Sequence, residues 1–223
     1  MRQLERHMIE PIRYLMFRDM NLDVVDQEFS AGYGVADLIG AVLCQTSCQK
    51  RKDLGIEKAF DHRLLVNVLM ILRAGKRTSL AYILNKVAIS ESTLRQKILP
   101  VLAQFGLIKK DADGYIRVLF QPPNPAKRIV AIEAKQTKWR EAILQARRYT
   151  FFANQTYIAV WNGTARLVDK SMLYRHRLGL IGVERNVAEI LIEAPLRNPR
   201  EAKMSRLCAE HLYGRVLNKN DLL

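Results

Sequence analysis

The chain has 223 residues, enough for one large domain or two small ones, and 49% of them are hydrophobic, so a sizeable core is available. The 36 Lys and Arg against 22 Asp and Glu give a formal net charge of +14, which favours a polyanionic partner. Three cysteines (Cys44, Cys48, Cys208) make no disulfide framework, Cys44 and Cys48 lack a second pair at zinc spacing, and no apolar run approaches membrane-spanning length. With no signal peptide in view, a cytoplasmic protein with no membrane partner is expected.

Charge is uneven along the chain. Residues 1–43 carry 4 basic and 7 acidic groups, residues 44–126 carry 14 and 6, and residues 127–223 carry 18 and 9. The amino-terminal segment therefore holds acid that the rest lacks. Residues 3–18 place Leu4, Met8, Ile12, Leu15 and Met16 at helical spacing, with Pro11 bending the helix or sitting near its start. "LDVVDQEFSAG" reads as a strand, Gly32 and Gly34 as a turn, and "VADLIGAVL" (35–43) as a short apolar strand with one charge, Asp37.

From residue 44 the pattern changes. A helix is expected over 61–74, ended by Gly75, and a short one after the Thr78/Ser79 cap. Ser90 caps a third, with Leu94, Ile98, Leu102 and Phe105 on one stripe and Pro100 kinking or ending it. "KKDADGYIRVLF" is a hairpin turning at Asp113-Gly114. Three helices followed by a hairpin is the winged helix-turn-helix order, and "QFGLIKKDADGYIRV" resembles the passage from recognition helix to wing. "QPPNPAKR" (121–128) is a linker. Beyond it come a strand containing "VAIEAKQ", a helix over 138–153, the strand "QTYIAVW", a helical stretch at 167–178, the late strands "GLIGVE" and "AEILIEA", and a basic tail with room for a last helix. Without the middle block the order is helix, three strands, helix, strand: an α/β core with 44–126 inserted between its second and third strands, so that 1–43 plus 127–223 form one discontinuous domain.

Asp37, Glu133 and Lys135 are the charges that interrupt these apolar strands. Charges in such places are costly unless paired or bound to metal. Two carboxylates and a lysine on neighbouring strands suit a divalent cation and a nucleophilic water: hard oxygen ligands for Mg²⁺, and an ammonium to orient water and stabilise a crowded phosphate. The plainer alternatives are Asp37 as a turn cap and Glu133–Lys135 as an ion pair on a solvated face.

With "GYGVADLIG" and "AIEAKQ" in this order, the sequence resembles the PD-(D/E)xK nuclease superfamily, the restriction endonuclease-like fold shared with Holliday-junction resolvases. The resemblance covers 1–43 and 127–193. It implies Asp37, Glu133 and Lys135 as catalytic residues, although Ala36 stands where the proline of the family's name would be. It adds an acid from the first helix, Glu5 with Glu10 as rival, and a Q-x-x-x-Y on the next helix, met by Gln145 and Tyr149. The implied metal ligands are Asp37, Glu133 and Glu5, for Mg²⁺ or Mn²⁺. The implied partner is DNA, with a homodimer if both strands are cut and further proteins in a DNA-processing or defence system. The exposed residues Ser92, Thr93, Arg95, Gln96 and Lys97 of the third inserted helix, with Lys109, Lys110 and Arg117 about the wing, are candidates for DNA contact. Lys138, Arg140, Arg147 and Arg148 near the site are candidates for phosphate. The inserted block could instead be a protein-contact module, and the whole chain a non-cleaving DNA-binding regulator or an interaction subunit of a DNA-processing complex.

Overall fold

The computed structural model describes residues 6–30, 32, 34–56 and 58–220. Helix α1 (Arg6–Arg18) leads into β1 (Val24–Ser30) and β2 (Val35–Leu43), which pair antiparallel. Their turn uses Gly32 (φ +87°) and Gly34 (φ +114°), a backbone region that only glycine enters without strain. Next come α2 (Gln45–Asp53), α3 (Arg63–Ile71), β3 (Arg77–Thr78), α4 (Leu80–Lys86), α5 (Glu91–Thr93), a π-helical turn (Leu94–Ile98), α6 (Leu99–Gln104), β4 (Ile108–Lys110) and β5 (Ile116–Val118). The chain closes with β6 (Ala126–Ala134), α7 (Trp139–Tyr149), β7 (Gln155–Trp161), α8 (Asn162–Ala165), α9 (Lys170–His176), β8 (Gly179–Glu184), β9 (Val187–Ile192) and α10 (Ala202–Asn220).

This is a mixed α/β protein. Six strands form one sheet in the order β1-β2-β6-β7-β8-β9. The β1/β2, β2/β6 and β8/β9 pairs are antiparallel, and β6/β7 and β7/β8 are parallel. Central strands covered on both faces read as continuous apolar runs, and β7 is buried from Gln155 to Val160. On one face α1 packs Met8, Ile12, Leu15 and Met16 with Leu38, Val130, Ile132 and Ile181. On the other, α7 and α10 supply Ala142, Ile143, Ala146, Leu207, Cys208 and Leu212 over Ile39, Ala131 and Ile158. Pro11 lies inside α1, which continues through it.

The inserted segment departs from expectation in several details. Its first element is α2, which a polar sequence without amphipathic spacing did not announce. The helix expected over 61–74 is shorter, because Leu72 is already extended (ψ 144°). The third helix widens into a π turn over Leu94–Ile98 just before Pro100, which sits in the first turn of α6, where a missing N–H costs little. A strand not expected from sequence, β3, completes a small sheet in the order β3-β5-β4. The return strand β6 begins at Ala126, inside the stretch 121–128 expected as linker.

The segment does not pack as an island. Leu65, Val66 and Leu69 of α3 belong to the same apolar cluster as the α7/α10 face of the large sheet. A buried charge network adds to this: Glu210 of α10 accepts from Arg51 Nη2 of α2 (2.5 Å), Arg206 Nε (2.8 Å) and the Phe60 amide (3.0 Å). Arg206 also donates to the Pro122 and Pro123 carbonyls of the linker.

Candidate active site

The register of β2 against β6 pairs Leu38 with Ile132. One step further along, Asp37 and Glu133 come side by side at the end of the ladder, on the face that α7 covers. Each is held by specific donors. Asp37 Oδ2 accepts the Ala134 amide at 2.7 Å. Glu133 is 1% exposed; its Oε1 lies 2.8 Å from Lys135 Nζ, and its Oε2 accepts the Tyr149 hydroxyl at 2.5 Å. The same hydroxyl lies 2.7 Å from the Val35 carbonyl. Lys135 follows the last residue of β6, and its Nζ also lies 4.0 Å from Asp37 Oδ2 and 3.2 Å from the Ala134 carbonyl.

The electrostatics follow from this geometry. Burial and the neighbouring Asp37 carboxylate push the Glu133 carboxyl up to about 7, against the pull of Lys135 and Tyr149. Burial, then the Glu133 carboxylate, holds the Tyr149 hydroxyl well above its usual range, so it stays a donor. The two crowded carboxylates share the Lys135 ammonium.

Those oxygens suit a small hard cation. Mg²⁺ is commonly held by one or two carboxylates and keeps several waters. Asp37, Glu133 and the Ala134 carbonyl form an all-oxygen set of that kind. Among the described residues no group of three or more His, Cys, Asp and Glu side chains is placed to share a metal ion, so a cation here would have to rest on the pair and backbone oxygen. The third proposed ligand, Glu5, lies outside the described residues, and its rival Glu10 is exposed on α1.

The remaining expected residues divide clearly. Tyr149 joins the cluster directly, whereas Gln145, one turn earlier on α7, is half-buried and makes no hydrogen bond to the three charges. Lys138 pairs with Glu141 (3.0 Å) and Arg140 stacks on Trp139 (4.2 Å), while Arg147 and Arg148 are exposed at the end of α7. In the insertion, Thr93 is used in the Ser90 cap and Arg95 pairs with Glu91 at 2.7 Å. Ser92, Gln96, Lys97 and Lys110 are exposed. Arg117 faces Lys109 on one side and Arg77 on the other across the small sheet, a row of three exposed cations. Arg77 is paired with Asp111 (2.8 Å) and Asp113 (2.7 Å) at the wing tip. The Val35 carbonyl, a main-chain group, had no side-chain signal to announce it.

No protein-family model matches the chain, and no curated protein matches it. Among solved structures it is similar to a protein of unknown function from Silicibacter pomeroyi, at 14% identity and a TM-score of 0.47, over 99% of this chain and 93% of that one. No described helix is long and apolar enough to cross a membrane.

Proposed function

We propose that the chain is a metal-dependent DNA endonuclease of the PD-(D/E)xK kind, with residues 44–126 as an inserted winged helix that binds duplex. The observation that carries this is the convergence of Asp37, Glu133 and Lys135 at one end of the β2/β6 ladder, in an otherwise apolar interior. The sheet order gives further support: an antiparallel β1-β2-β6 unit continued in parallel by β7, with α7 between β6 and β7.

Asp37, Glu133 and the Ala134 carbonyl would hold Mg²⁺ or Mn²⁺. When bound, the cation lowers the pKa of water and takes up charge on a phosphoryl oxygen. Lys135, anchored on Glu133, orients the attacking water and faces the charge that builds on the phosphate. Tyr149 fixes the Glu133 rotamer and ties it to the β2 backbone. In the insertion, the like-charged neighbours Lys109 and Arg117 destabilise each other unless an anion lies over them. Gln96 and Lys97 are the exposed residues of the third inserted helix best placed to reach a groove.

The test is supercoiled plasmid in Mg²⁺ or Mn²⁺ against EDTA, with Asp37→Asn and Lys135→Ala beside the wild type. Metal-dependent nicking lost in both variants is the expected result. If all three leave DNA intact yet retard it equally on a gel, cleavage is refuted and the chain is a DNA-binding module.

A further inference from the structure

Away from the carboxylate pair, the ends of α7 and α9 and the segment after β9 enclose a cleft of about 560 Å³. Arg147, Arg148, Arg175, Arg177, Arg197 and Arg200 line it, with His176 beside them and no carboxylate. None of the six is in an ion pair with a described residue. Cations at helix C-termini complement the helix dipole, which accounts for Arg147, Arg148 and Arg175. It does not account for Arg197 and Arg200, which come from an extended segment onto the same cleft. Like charges gathered without counterions repel, and an anionic ligand removes that cost.

Two further observations point to a ligand. An adjoining cavity of about 190 Å³ shares Arg177, Arg197 and Arg200 with the cleft, and Thr156 lines it. Thr156 is 2% exposed, and its hydroxyl has no hydrogen-bond partner. Buried hydroxyls are normally satisfied, so this one marks a place for a polar guest. Arg177 has φ +57°, a left-handed position at the end of α9 where glycine is preferred. An arginine there carries a backbone cost that glycine would not.

Arg148 and its neighbour Tyr149 bring one end of the cleft towards the candidate active site. The guanidinium of Arg148 lies 4.0 Å from where a Cβ on Gly34 would be, beside the β1–β2 turn. The next residue, Tyr149, holds Glu133. One phosphate takes up two or three guanidinium groups through paired N–H bonds, so six spread over an open cleft call for several phosphates. We propose that this cleft holds the phosphate backbone of a polynucleotide, so that a strand leaving the Asp37–Glu133–Lys135 cluster crosses the end of α7 and lies against Arg175, Arg177, Arg197 and Arg200. Only the direction of travel rests on the nuclease reading; the binding does not.

Anisotropy of a labelled DNA duplex in EDTA, titrated with protein at several salt concentrations, tests this without cleavage. Arg197→Gln/Arg200→Gln removes two phosphate contacts. It should weaken binding on the order of 10- to 100-fold at 0.1 M salt and reduce the slope of log K against log salt by about 2. The charge-matched pair Arg166→Gln/Lys170→Gln, exposed elsewhere, should leave the slope unchanged. Arg177→Gly should weaken binding while melting no lower than wild type, because glycine relieves the left-handed backbone; a structural arginine would give the reverse. Equal loss in the cleft and control pairs, or no loss in either, overturns the proposal. So does displacement of DNA by inorganic phosphate far beyond that of NaCl at the same ionic strength, which would mark a small-anion site. Plasmid nicking by cleft variants of unaltered affinity would sink this proposal and leave the nuclease intact.

Discussion

Glu133→Gln tests the electrostatics of the site without requiring any activity. In the folded chain the Glu133 carboxyl titrates near 7, against an ordinary 4.5. At about 1.4 kcal/mol for each tenfold change in proton affinity, keeping this carboxylate ionised costs the metal-free fold about 3 kcal/mol at pH 8. The folded state holds the proton more tightly than the unfolded state. Wild-type stability therefore falls as pH rises from about 4.5 to about 7 and levels off above. Glutamine cannot ionise, so it escapes this fall. Like the protonated carboxyl it has one carbonyl acceptor and one donor group, so its difference from wild type at low pH stays at about 1 kcal/mol, the worth of one hydrogen bond. Urea melts of both proteins in EDTA at pH 4.5 and pH 8 separate the two effects. Relative to wild type, the variant should gain about 3 kcal/mol between those pH values, starting slightly less stable and ending more stable. Parallel pH curves would refute the claim that burial and Asp37 together destabilise the charged form.

Four other outcomes follow from the same contacts. Mg²⁺ at tenfold its Kd should stabilise the wild type by about 1.4 kcal/mol in a thermal melt, and leave Asp37→Asn and Glu133→Gln unmoved. Tyr149→Phe, which loses the hydroxyl bonded to Glu133 and Val35, should lower stability by about 1–2 kcal/mol and reduce nicking while DNA affinity holds. Glu210→Ala strands the Arg51 and Arg206 guanidinium groups, and should lower stability by about 3–5 kcal/mol in a urea melt. Burial raises the Asp26 carboxyl, but hydrogen bonds from His211, the Gln27 amide and Arg215 outweigh it and leave it below its usual value. Asp26 therefore contributes stability above its unfolded value near 3.8 and loses it as pH falls through the folded value, so Asp26→Asn should flatten the acid limb of the stability curve.

What could be read from sequence was whatever repeats at short range or breaks a pattern. The strands at 35–43 and 179–184 lie where the apolar runs place them, because a half- or fully buried strand is written in consecutive residues. Asp37, Glu133 and Lys135 were visible because each interrupts such a run. Gln145 and Tyr149 were implied together by the family resemblance, yet only Tyr149 reaches the cluster, since spacing on a helix fixes a face and not what that face meets. Helix α2 gave no signal: "QTSCQKRKD" has no apolar stripe, its cap residue Cys44 makes no side-chain cap bond, and two of its residues, Cys48 and Arg51, are buried by distant segments. Of the cleft arginines only Arg147 and Arg148 were singled out, as phosphate candidates beside the site. Arg175, Arg177, Arg197 and Arg200 lie 27 or more residues from them in the chain, and only the ends of two helices and the strap after β9 bring the three groups together.

The same limit hides the link between the inserted segment and the sheet. Arg51 and Glu210 are 159 residues apart, and each alone reads as a surface charge on a helix, yet both side chains are 0% exposed. Arg51 also lies over the rings of Phe60 and Tyr213, at 5.3 and 4.9 Å. Burying three charges seldom adds stability over apolar packing of equal volume. What such a network supplies is direction: Glu210 accepts three donors only when α2, the Phe60 backbone and α10 stand in one arrangement, and Arg206 fixes the Pro122–Pro123 linker to that arrangement. An apolar contact tolerates sliding and rotation, whereas this one loses hydrogen bonds with either. On the proposed reading, a segment that presents a bound duplex to the Asp37–Glu133–Lys135 cluster would need the second kind of joint.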